Sequence, residues 1–410
     1  MARQDSQASQ AGDRALPTPS ASVARLTLSD FRCYASQRID TGPEPVVLSG
    51  PNGAGKTNVL EALSFLVPGR GLRSAKLSEI SRAEPGAPTP DNRAWAVAAK
   101  LETPNGSIDI GSGRDTQHLG KREKRVVRID GATVKSQAAL SEHLSAQWLT
   151  PQMDRLFLEG ASARRRFLDR LVFGTDPAHA GRVSAYEHAM RERSRLLRNG
   201  QGDSGRPADP EWLHVLEETM ASKGVAVSAA RINMAVRLDD IAGCAANEGV
   251  FPGATLRVTG VLEEWLTDCP ALEAEERLKK TLKESRTGDS ENGTAQYGPH
   301  RSDMTVHHLG TGQAAELCST GEQKALLISL ILANARLQAL ERGSLPLLLL
   351  DEVTAHLDMT RREALFSEIL NLGIQAWMTG TEAVLFSPLQ GDAQFFGVQD
   401  AIITPIQSGT

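Results

Sequence analysis

Several features are scarce or missing in this 410-residue chain, and each absence excludes a class of protein. The four cysteines lack C-x-x-C spacing, so neither a zinc site nor a disulfide framework is indicated. No apolar run approaches the roughly 18 residues of a membrane span, and residues 1–22 lack the apolar stretch of a signal peptide. These absences favour a reduced, cytoplasmic protein without a membrane partner, in which residues 1–22 form a disordered tail.

Aromatic residues make up only 4% of the chain, and its net charge is −5. The low aromatic content gives no support to a platform that stacks single-stranded bases. The negative net charge argues mildly against a general nucleic-acid binder. The charge is unevenly distributed, however. Residues 114–128 contain six basic and two acidic residues, and residues 182–198 contain five and two. Such segments either face solvent or contact DNA phosphates, and both interpretations remain open here.

Hydrophobic periodicity divides the chain into strand-rich ends and a helical middle. Alternating residues predict strands between 22 and 134, including a hairpin that turns at Asp130-Gly131, and strands return at "DMTVHHL" and "LPLLLLDEV". From Pro151 to about Ala295 the pattern is helical. Helices are predicted at Ser162–Phe173, Arg182–Arg198, Glu211–Asn247 and Ala271–Ser285, with flexible connections at 199–210 and 286–296. The simplest interpretation is one α/β domain interrupted by a helical insertion.

A glycine-rich loop follows the apolar strand "VVLS" and precedes a helical pattern. Its residues, which fit G-x-x-x-x-G-K-[ST] throughout, are Gly50, Pro51, Asn52, Gly53, Ala54, Gly55, Lys56 and Thr57. In this motif backbone N–H groups surround phosphates, the lysine reaches the β- and γ-phosphates, and the threonine hydroxyl binds Mg²⁺. The loop therefore predicts a site for ATP and Mg²⁺.

The segment "LLLLDEV" supplies the second half of such a site. Four leucines predict a buried strand that delivers Asp351 to the sheet edge, where its carboxylate would hold Mg²⁺. The adjacent Glu352 would polarise the attacking water. The alternative is a buried strand that ends in an exposed acidic turn, and the phosphate loop makes this alternative the weaker one.

The segment "CSTGEQK" precedes an apolar helix and allows two interpretations. Ser319 and Glu322 satisfy the capping box of a helix N-terminus, which is sufficient reason for their presence. Beside a phosphate loop, the same N-terminus would instead point at an anion, the γ-phosphate bound by another subunit. Ser319, Gly321 and Glu322 would then contact that nucleotide.

Taken together, these motifs and "AHLD" at 355–358 resemble an ABC-type ATPase head, with a signature close to that of the SMC and Rad50 group. Lys56 and Asp351 are 295 residues apart, which is further than in transporter ATPases. The inserted residues lack sustained heptads and resemble the short arms of the RecF family. The segments "LTLSDFRCY", "WLTPQMDRLFLEGASARRRFLDR" and "YGPHRSD" extend this resemblance from about Ser22 to Gly397.

The resemblance implies an α/β fold, an ABC-type P-loop ATPase head with added antiparallel strands and an inserted helical arm domain. The head would comprise residues 23–150 and 296–400, and the arms residues 151–295. The family's members bind duplex DNA, including gapped DNA, in an ATP-dependent manner and act with RecO and RecR mediators in DNA repair and replication. We therefore expect an ATP-dependent homodimer that promotes recombinase loading and is released by ATP hydrolysis.

The resemblance also assigns residues that no motif above identifies. By this resemblance Gln152 occupies the position of the glutamine that senses metal and water, and Arg32 would approach the nucleotide phosphates. The alternatives are a loop residue after Pro151 for Gln152 and a surface arginine for Arg32. Transporter ATPases carry a histidine after the strand that follows the Asp-Glu pair, where "AWMTGTEAV" offers only Thr379 and Thr381. We therefore expect slow hydrolysis.

Two basic clusters are candidates for DNA contact. Residues 164–166 begin a helix, so three consecutive arginines cannot all face one partner, and one is predicted to pair with Asp169 or an equivalent acid. The cluster "KREKR" at Lys121–Arg125 lies on a predicted hairpin, where it would contact phosphates without reading sequence. Either cluster could equally serve only a structural role.

Two other functions use the same motifs. An ATPase subunit of a membrane transporter would need a surface that couples to a membrane partner and would lack the long helical insertion. An SMC-like organiser of DNA would show heptads sustained over many turns. Neither feature is present in the sequence.

Overall fold

The computed structural model describes residues 21–82, 93–114, 124–199, 209–246 and 250–406. The predicted tail at residues 1–22 lies outside these ranges except for its last two residues, and Ser22 already belongs to the first strand. Residues 121–123 of the basic hairpin and 200–208 of the first predicted connection also lie outside them.

Strands and helices alternate in the head and helices dominate the middle of the chain. The strands are β1 (Ser22–Phe31), β2 (Tyr34–Asp40), β3 (Val46–Ser49), β4 (Trp95–Thr103), β5 (Gly106–Arg114), β6 (Arg125–Ile129), β7 (Ala132–Val134), β8 (Ala146–Leu149), β9 (Ala254–Thr259), β10 (Asp303–His308), β11 (Leu347–Leu350), β12 (Ala376–Gly380), β13 (Gln394–Gln399) and β14 (Ile402–Pro405). The helices are α1 (Lys56–Ser64), α2 (Leu77–Ile80), α3 (Ala161–Thr175), α4 (His179–Asn199), α5 (Pro210–Ala246), α6 (Val261–Asp268), α7 (Ala271–Glu284), α8 (Arg286–Asn292), α9 (Thr320–Arg342) and α10 (Met359–Leu372).

A mostly parallel sheet forms the centre of the head. In the described part of the chain its order is β14-β13-β3-β12-β11-β8, and only β14 runs antiparallel to its neighbour. Along β11, Leu347 and Leu349 face the core that contains α1, whereas Leu348 and Leu350 face the core that contains α9. Both faces of the strand are therefore covered, which explains why its sequence is continuously apolar rather than alternating.

An antiparallel sheet packs over α1 on one side of this centre. Its order among the described residues is β2-β1-β4-β5-β6-β7, so the added antiparallel strands predicted from the sequence are confirmed. The predicted hairpin is also present. Asp130 and Gly131 form its two-residue turn with φ of 47° and 79°, which suits the right-handed twist of the strands.

The helical middle contributes to two different cores. Phe167 on α3 and Met234 on α5 are buried in the same cluster as α9, so these helices are rooted in the head. The first half of α5 packs with α4 and α7 around Met220 and Leu278 and forms a separate cluster. At the border, buried Asp169 binds both Arg231 and His179.

Two sequence predictions for this region are wrong. Residues 254–259 fall within the predicted helical segment but form β9, which pairs antiparallel with β10. Their alternation and β-branched residues between two glycines are the signal for a strand. Residues 286–296 are predicted to be a flexible connection, but 286–292 form α8. Arg193, a buried arginine of α4, stabilises that helix by binding Asp289 at 2.7 Å as well as Glu217 at 3.0 Å.

No helix in the described ranges is long and apolar enough to cross a membrane.

The predicted contact between the basic hairpin and DNA phosphates is wrong for one of its residues, Arg125. Its side chain is 6% exposed and donates to the backbone carbonyls of Phe65, Val67 and Gly69, at and beyond the C-terminal end of α1. It also donates to Ser112 Oγ at 2.6 Å. Burial lowers the pKa of Arg125 to about 10, so the guanidinium stays charged at neutral pH. It cannot contact DNA phosphates because it serves as an internal cap of the helix that follows the phosphate loop.

We predict that Arg125→Met destabilises the protein by about 2–4 kcal/mol, because several buried carbonyls lose their donor at once. Urea unfolding followed by circular dichroism measures the change. Arg128→Met is the matched control, since Arg128 lies on the same strand but is exposed, and we expect it to change stability by less than about 0.5 kcal/mol. Equal stability of the two variants would contradict the capping role.

Candidate nucleotide site and basic cleft

The phosphate loop connects β3 to α1 at the carboxyl edge of the parallel sheet, where ligands of α/β folds bind. Two of its glycines are required by close contacts. Gly55, the N-cap of α1, has φ of 113°, and a Cβ there would lie 2.7 Å from the Tyr34 hydroxyl oxygen. A Cβ on Gly50 would lie 2.1 Å from the carbonyl oxygen of Val398. The loop therefore depends on these glycines for its conformation as well as for access to phosphate.

Lys56 is buried at the start of α1, with only 5% of its surface exposed. Its Nζ donates to the carbonyl oxygens of Gly50 at 2.7 Å and Pro51 at 2.9 Å, and among the described residues it has no ion-pair partner. Burial lowers the pKa of this lysine. A buried ammonium that is bound only by carbonyls fits an anionic ligand, because phosphate oxygens would supply the missing countercharge.

Thr57 and Asp351 meet directly although they are 294 positions apart. Thr57 Oγ1 donates to Asp351 Oδ1 at 2.8 Å, and Asp351 itself is 6% exposed at the end of β11. Hydroxyl and carboxylate oxygens are ligands that suit Mg²⁺, which usually takes one or two protein ligands and completes its shell with water and phosphates. The described residues contain no group of three or more His, Cys, Asp or Glu side chains that could hold a metal by themselves. The pair thus fits a Mg²⁺ ion that arrives with a nucleotide.

Glu352 adopts a left-handed backbone conformation with φ of 47°. Its N–H donates to Thr379 Oγ1 at 2.8 Å, and the Thr379 hydroxyl donates in turn to Asp351 Oδ1 at 2.8 Å. Within the described ranges the Glu352 carboxylate has no hydrogen bond and no ion pair. It is half-buried beside the two lysines Lys56 and Lys324, whose charges it interacts with.

Gln152 lies at the same edge of the sheet. Strand β8 pairs with β11 and ends at Leu149, and the 3-10 turn Pro151–Arg155 follows it. The Gln152 side chain is exposed and faces the large cleft described below.

Arg32, the arginine expected near the phosphates, is bound to the helix that follows the loop. Its guanidinium donates to both carboxylate oxygens of Glu61 on α1, at 2.7 and 2.8 Å, and to the carbonyl of Glu79. Arg73 shares Glu61 and donates to Asn58 Oδ1 at 2.9 Å. The two arginines therefore flank α1 and neutralise one buried carboxylate.

The segment expected to face another subunit forms a well-capped helix start. Ser319 Oγ accepts from the N–H of Glu322, and Glu322 Oε2 accepts from the N–H of Ser319 at 2.9 Å. The hydrogen bonds from Ser319 lower the pKa of Glu322. Ser319 is exposed, and Gly321 is half-buried. In the described part of a single chain, no hydrogen bond or ion pair joins this segment to the phosphate loop.

Lys324 ends the same motif, and the sequence pattern assigns it no role. It is 2% exposed and donates to the carbonyl of Ala355 at 2.5 Å, and its Nζ lies 3.5 Å from Asp154 Oδ2. The same Asp154 oxygen lies 3.6 Å from His356 Nδ1. Burial lowers the pKa of Lys324. One ammonium thus connects the second turn of α9 with the segment after Glu352 and with the turn that carries Gln152.

A cleft of about 1930 Å³ separates the head from α3 and α4. Among the described residues that line it, six exposed basic side chains outnumber two exposed acidic ones, Glu159 and Glu187, so their formal sum is 6 − 2 = +4. The basic residues are Arg70, Arg73, Lys124, Lys135, Arg166 and Arg191. The cleft therefore favours a polyanion.

Only one member of the arginine cluster at the start of α3 faces this cleft. Arg166 is exposed there, whereas Arg164 pairs with Asp303 at 2.6 Å and Arg165 donates to the carbonyl of Ser302. The prediction that one of these arginines pairs with Asp169 or an equivalent acid is confirmed by the Arg164–Asp303 pair, since Asp169 itself is occupied by residues from two other helices.

Comparison with known proteins gives a consistent result. Residues 22–398 match the family described as "RecF/RecN/SMC N terminal domain". A protein from Mesorhizobium japonicum named "DNA replication and repair protein RecF" is 46% identical over 386 residues, which cover 94% of this chain and 98% of that protein. A protein of the same name from Caulobacter vibrioides is 45% identical over 392 residues, covering 95% and 99%.

Solved structures give the same fold. A structure of the "recombination mediator protein RecF-ATPrS in RecFOR pathway" superimposes with a TM-score of 0.80 at 22% identity and covers 96% of this chain and all of that one. An Smc head domain from Pyrococcus furiosus gives 0.50 at 13% identity, covering 94% and 96%. The ABC-type α/β fold expected from the sequence is thereby confirmed.

We predict that Lys324→Met lowers the free energy of unfolding by about 1–3 kcal/mol, because a partly buried Asp154 carboxylate loses its cation. Adding Asp154→Asn should restore part of this loss. A double-mutant cycle by urea unfolding measures the coupling, and Lys280→Met, at an exposed lysine of α7, is the control. Strictly additive effects would show that the two side chains are not coupled.

Proposed function

Because this chain belongs to the RecF family of DNA replication and repair proteins, we propose that it is an ATPase that binds duplex DNA as an ATP-bound homodimer. It acts at gapped or duplex DNA and promotes recombinase loading, with RecO- and RecR-type mediators as partners. A solved structure described as "recombination mediator protein RecF-ATP in RecFOR pathway" supports both the nucleotide and the mediators.

The observation that carries the proposal is the direct hydrogen bond between Thr57 and Asp351 beside a buried Lys56. These three residues would form half of a nucleotide site. Lys56 would exchange its two carbonyl partners for β- and γ-phosphate oxygens. Thr57 and Asp351 would hold Mg²⁺, with Gln152 completing its surroundings from the end of β8.

ATP and Mg²⁺ supply the phosphoanhydride to be cleaved and the neutralisation of its charge. The residues of this chain position the reactants. Glu352 would accept a hydrogen bond from the attacking water and orient it, which is consistent with a carboxylate that has no hydrogen bond or ion pair to any described residue. Without a histidine after β12, no imidazole is available from that strand, so we propose that hydrolysis is slow.

The second half of the site would come from another copy of the chain. Ser319, Gly321 and Glu322 begin α9, and the N-terminus of this 23-residue helix carries positive electrostatic potential and orients N–H groups outward. Each copy has one phosphate loop and one such N-terminus, so a two-fold dimer would complete two equivalent sites. Hydrolysis would remove the shared γ-phosphate and release the dimer.

The basic cleft is the proposed DNA site. Its exposed side chains come from the head (Arg70, Lys135) and from the arms (Arg166, Arg191), so a duplex lying there would contact both parts. Contacts to phosphates supply affinity without sequence preference and make binding strongly dependent on salt. We propose that residues 151–295 act as arms and residues 23–150 with 296–400 as the head, and that ATP-driven dimerisation brings two clefts together around DNA.

We predict that Glu352→Gln slows ATP hydrolysis about 100-fold or more, because the amide cannot accept the proton of the attacking water, while ATP remains bound. The dimer should persist and dissociate from duplex DNA more slowly than wild type. Surface plasmon resonance with ATP present measures this dissociation, and a phosphate-release assay measures hydrolysis.

Lys56→Ala is the control for that experiment, since it removes the phosphate-binding cation and should abolish the ATP-dependent increase in DNA lifetime. Normal hydrolysis by Glu352→Gln would remove Glu352 from catalysis. A variant that dimerises with ATP but releases DNA as fast as it does without ATP would contradict the role in DNA repair and favour a transporter-type ATPase.

We predict that Arg191→Ala weakens duplex binding and reduces the slope of log K against log salt by about 1, as expected for one lost phosphate contact. Fluorescence anisotropy over a salt series measures both effects. Arg195→Ala is the matched control, because Arg195 is exposed on the same helix but does not line the cleft. Equal effects of the two substitutions would place the DNA elsewhere.

A further inference from the structure

The backbone of Glu352 needs an external support. A non-glycine residue with φ of 47° lies in a sparsely populated left-handed region, and such conformations persist only where surrounding contacts fix them. The contact found here is the hydrogen bond from the Glu352 N–H to Thr379 Oγ1 at 2.8 Å. Thr379 comes from the neighbouring strand β12 and has no exposed surface.

The same hydroxyl fixes the neighbouring carboxylate. Thr379 Oγ1 donates to Asp351 Oδ1 at 2.8 Å, and this oxygen also accepts the hydrogen bond from Thr57 Oγ1. A hydroxyl has one proton to donate and lone pairs to accept. Because its proton goes to Asp351 and a lone pair accepts the Glu352 N–H, the direction of each bond is defined. Thr379 therefore links both acidic residues through one buried atom.

These contacts decide between two roles for Thr379. By its place in the sequence it is a possible substitute for the histidine that contacts the γ-phosphate in transporter ATPases. Its hydroxyl is fully buried and already bound to two groups of the chain, so it is not free to touch a nucleotide. Thr381, the other candidate, is exposed in the turn after β12.

We propose that Thr379 is a positioning residue for ATP hydrolysis, which acts by orienting Asp351 toward the metal-binding threonine and by holding Glu352 in its left-handed conformation. This inference rests on the proposed ATPase function. It adds a further strand of the parallel sheet to the reaction, because β3 precedes the loop that leads to Thr57, Asp351 follows β11, and β12 contributes Thr379. Affinity for ATP would depend little on Thr379, whereas the rate of the chemical step would depend on it strongly.

The test compares Thr379→Val with Thr379→Ser in the full-length protein. Valine preserves the shape of the side chain and removes the hydroxyl, and serine preserves the hydroxyl and removes the methyl group. We expect Thr379→Val to lower kcat about tenfold or more with KM and the Kd of a fluorescent ATP analogue changed less than about threefold. Thr379→Ser should keep kcat within about threefold of wild type. Thr305→Val on β10, away from the site, is the matched control.

Each other outcome has a defined meaning. A wild-type kcat in Thr379→Val, or an equal loss of kcat in the valine and serine variants, overturns the positioning role. A loss of ATP affinity with unchanged kcat shows that Thr379 supports binding instead, and this also overturns it. If the wild-type protein hydrolyses no ATP, the proposed function is wrong and this inference is wrong with it. If the wild-type protein and the Thr379→Val variant are equally active, only this inference is wrong.

Discussion

The structure depends on the pairing of strands from opposite ends of the chain. Strand β3, near the beginning, lies between β12 and β13, near the end, and this pairing brings Thr57 within 2.8 Å of Asp351. The intervening segments must therefore leave the parallel sheet and return to it. The helical insertion begins after β8 of this sheet and ends before α9, which packs against the sheet in the same core as Leu348 and Leu350 of β11.

The candidate nucleotide site and the α3 side of the cleft belong to elements that share one hydrophobic core. Helix α3 and the second half of α5 share a core with α9, whose N-terminus is assigned to a partner's nucleotide. Arg125 joins the antiparallel sheet to the end of α1, and Lys324 joins α9 to the segment after Glu352. Buried cations thus connect elements that line the cleft or carry the candidate nucleotide site.

The parts of the fold that were predictable from the sequence are those fixed by local chemistry. The phosphate loop, the buried strand at Leu347–Leu350, the capping box at Ser319 and the Asp130-Gly131 turn each depend on a few consecutive residues. The parts that were not predictable depend on tertiary contacts. In the sequence Arg125 cannot be distinguished from a surface cation, because its role depends on the carbonyls beyond the end of α1 that it binds. The partners of Asp169 likewise come from two other helices, which are distant in the sequence.

In the dimer that we propose, each ATP lies between the phosphate loop of one copy and the start of α9 of the other. A mixture of two defective variants distinguishes this shared site from two separate ones. Lys56→Ala lacks a working phosphate loop and Ser319→Arg blocks the start of α9, so neither should self-associate with ATP, but a mixed dimer contains one intact composite site. With the variants carrying a fluorescence donor and an acceptor, we expect energy transfer that appears only in the mixture and only with ATP. Association of either variant alone, or no transfer in the mixture, would contradict the shared site.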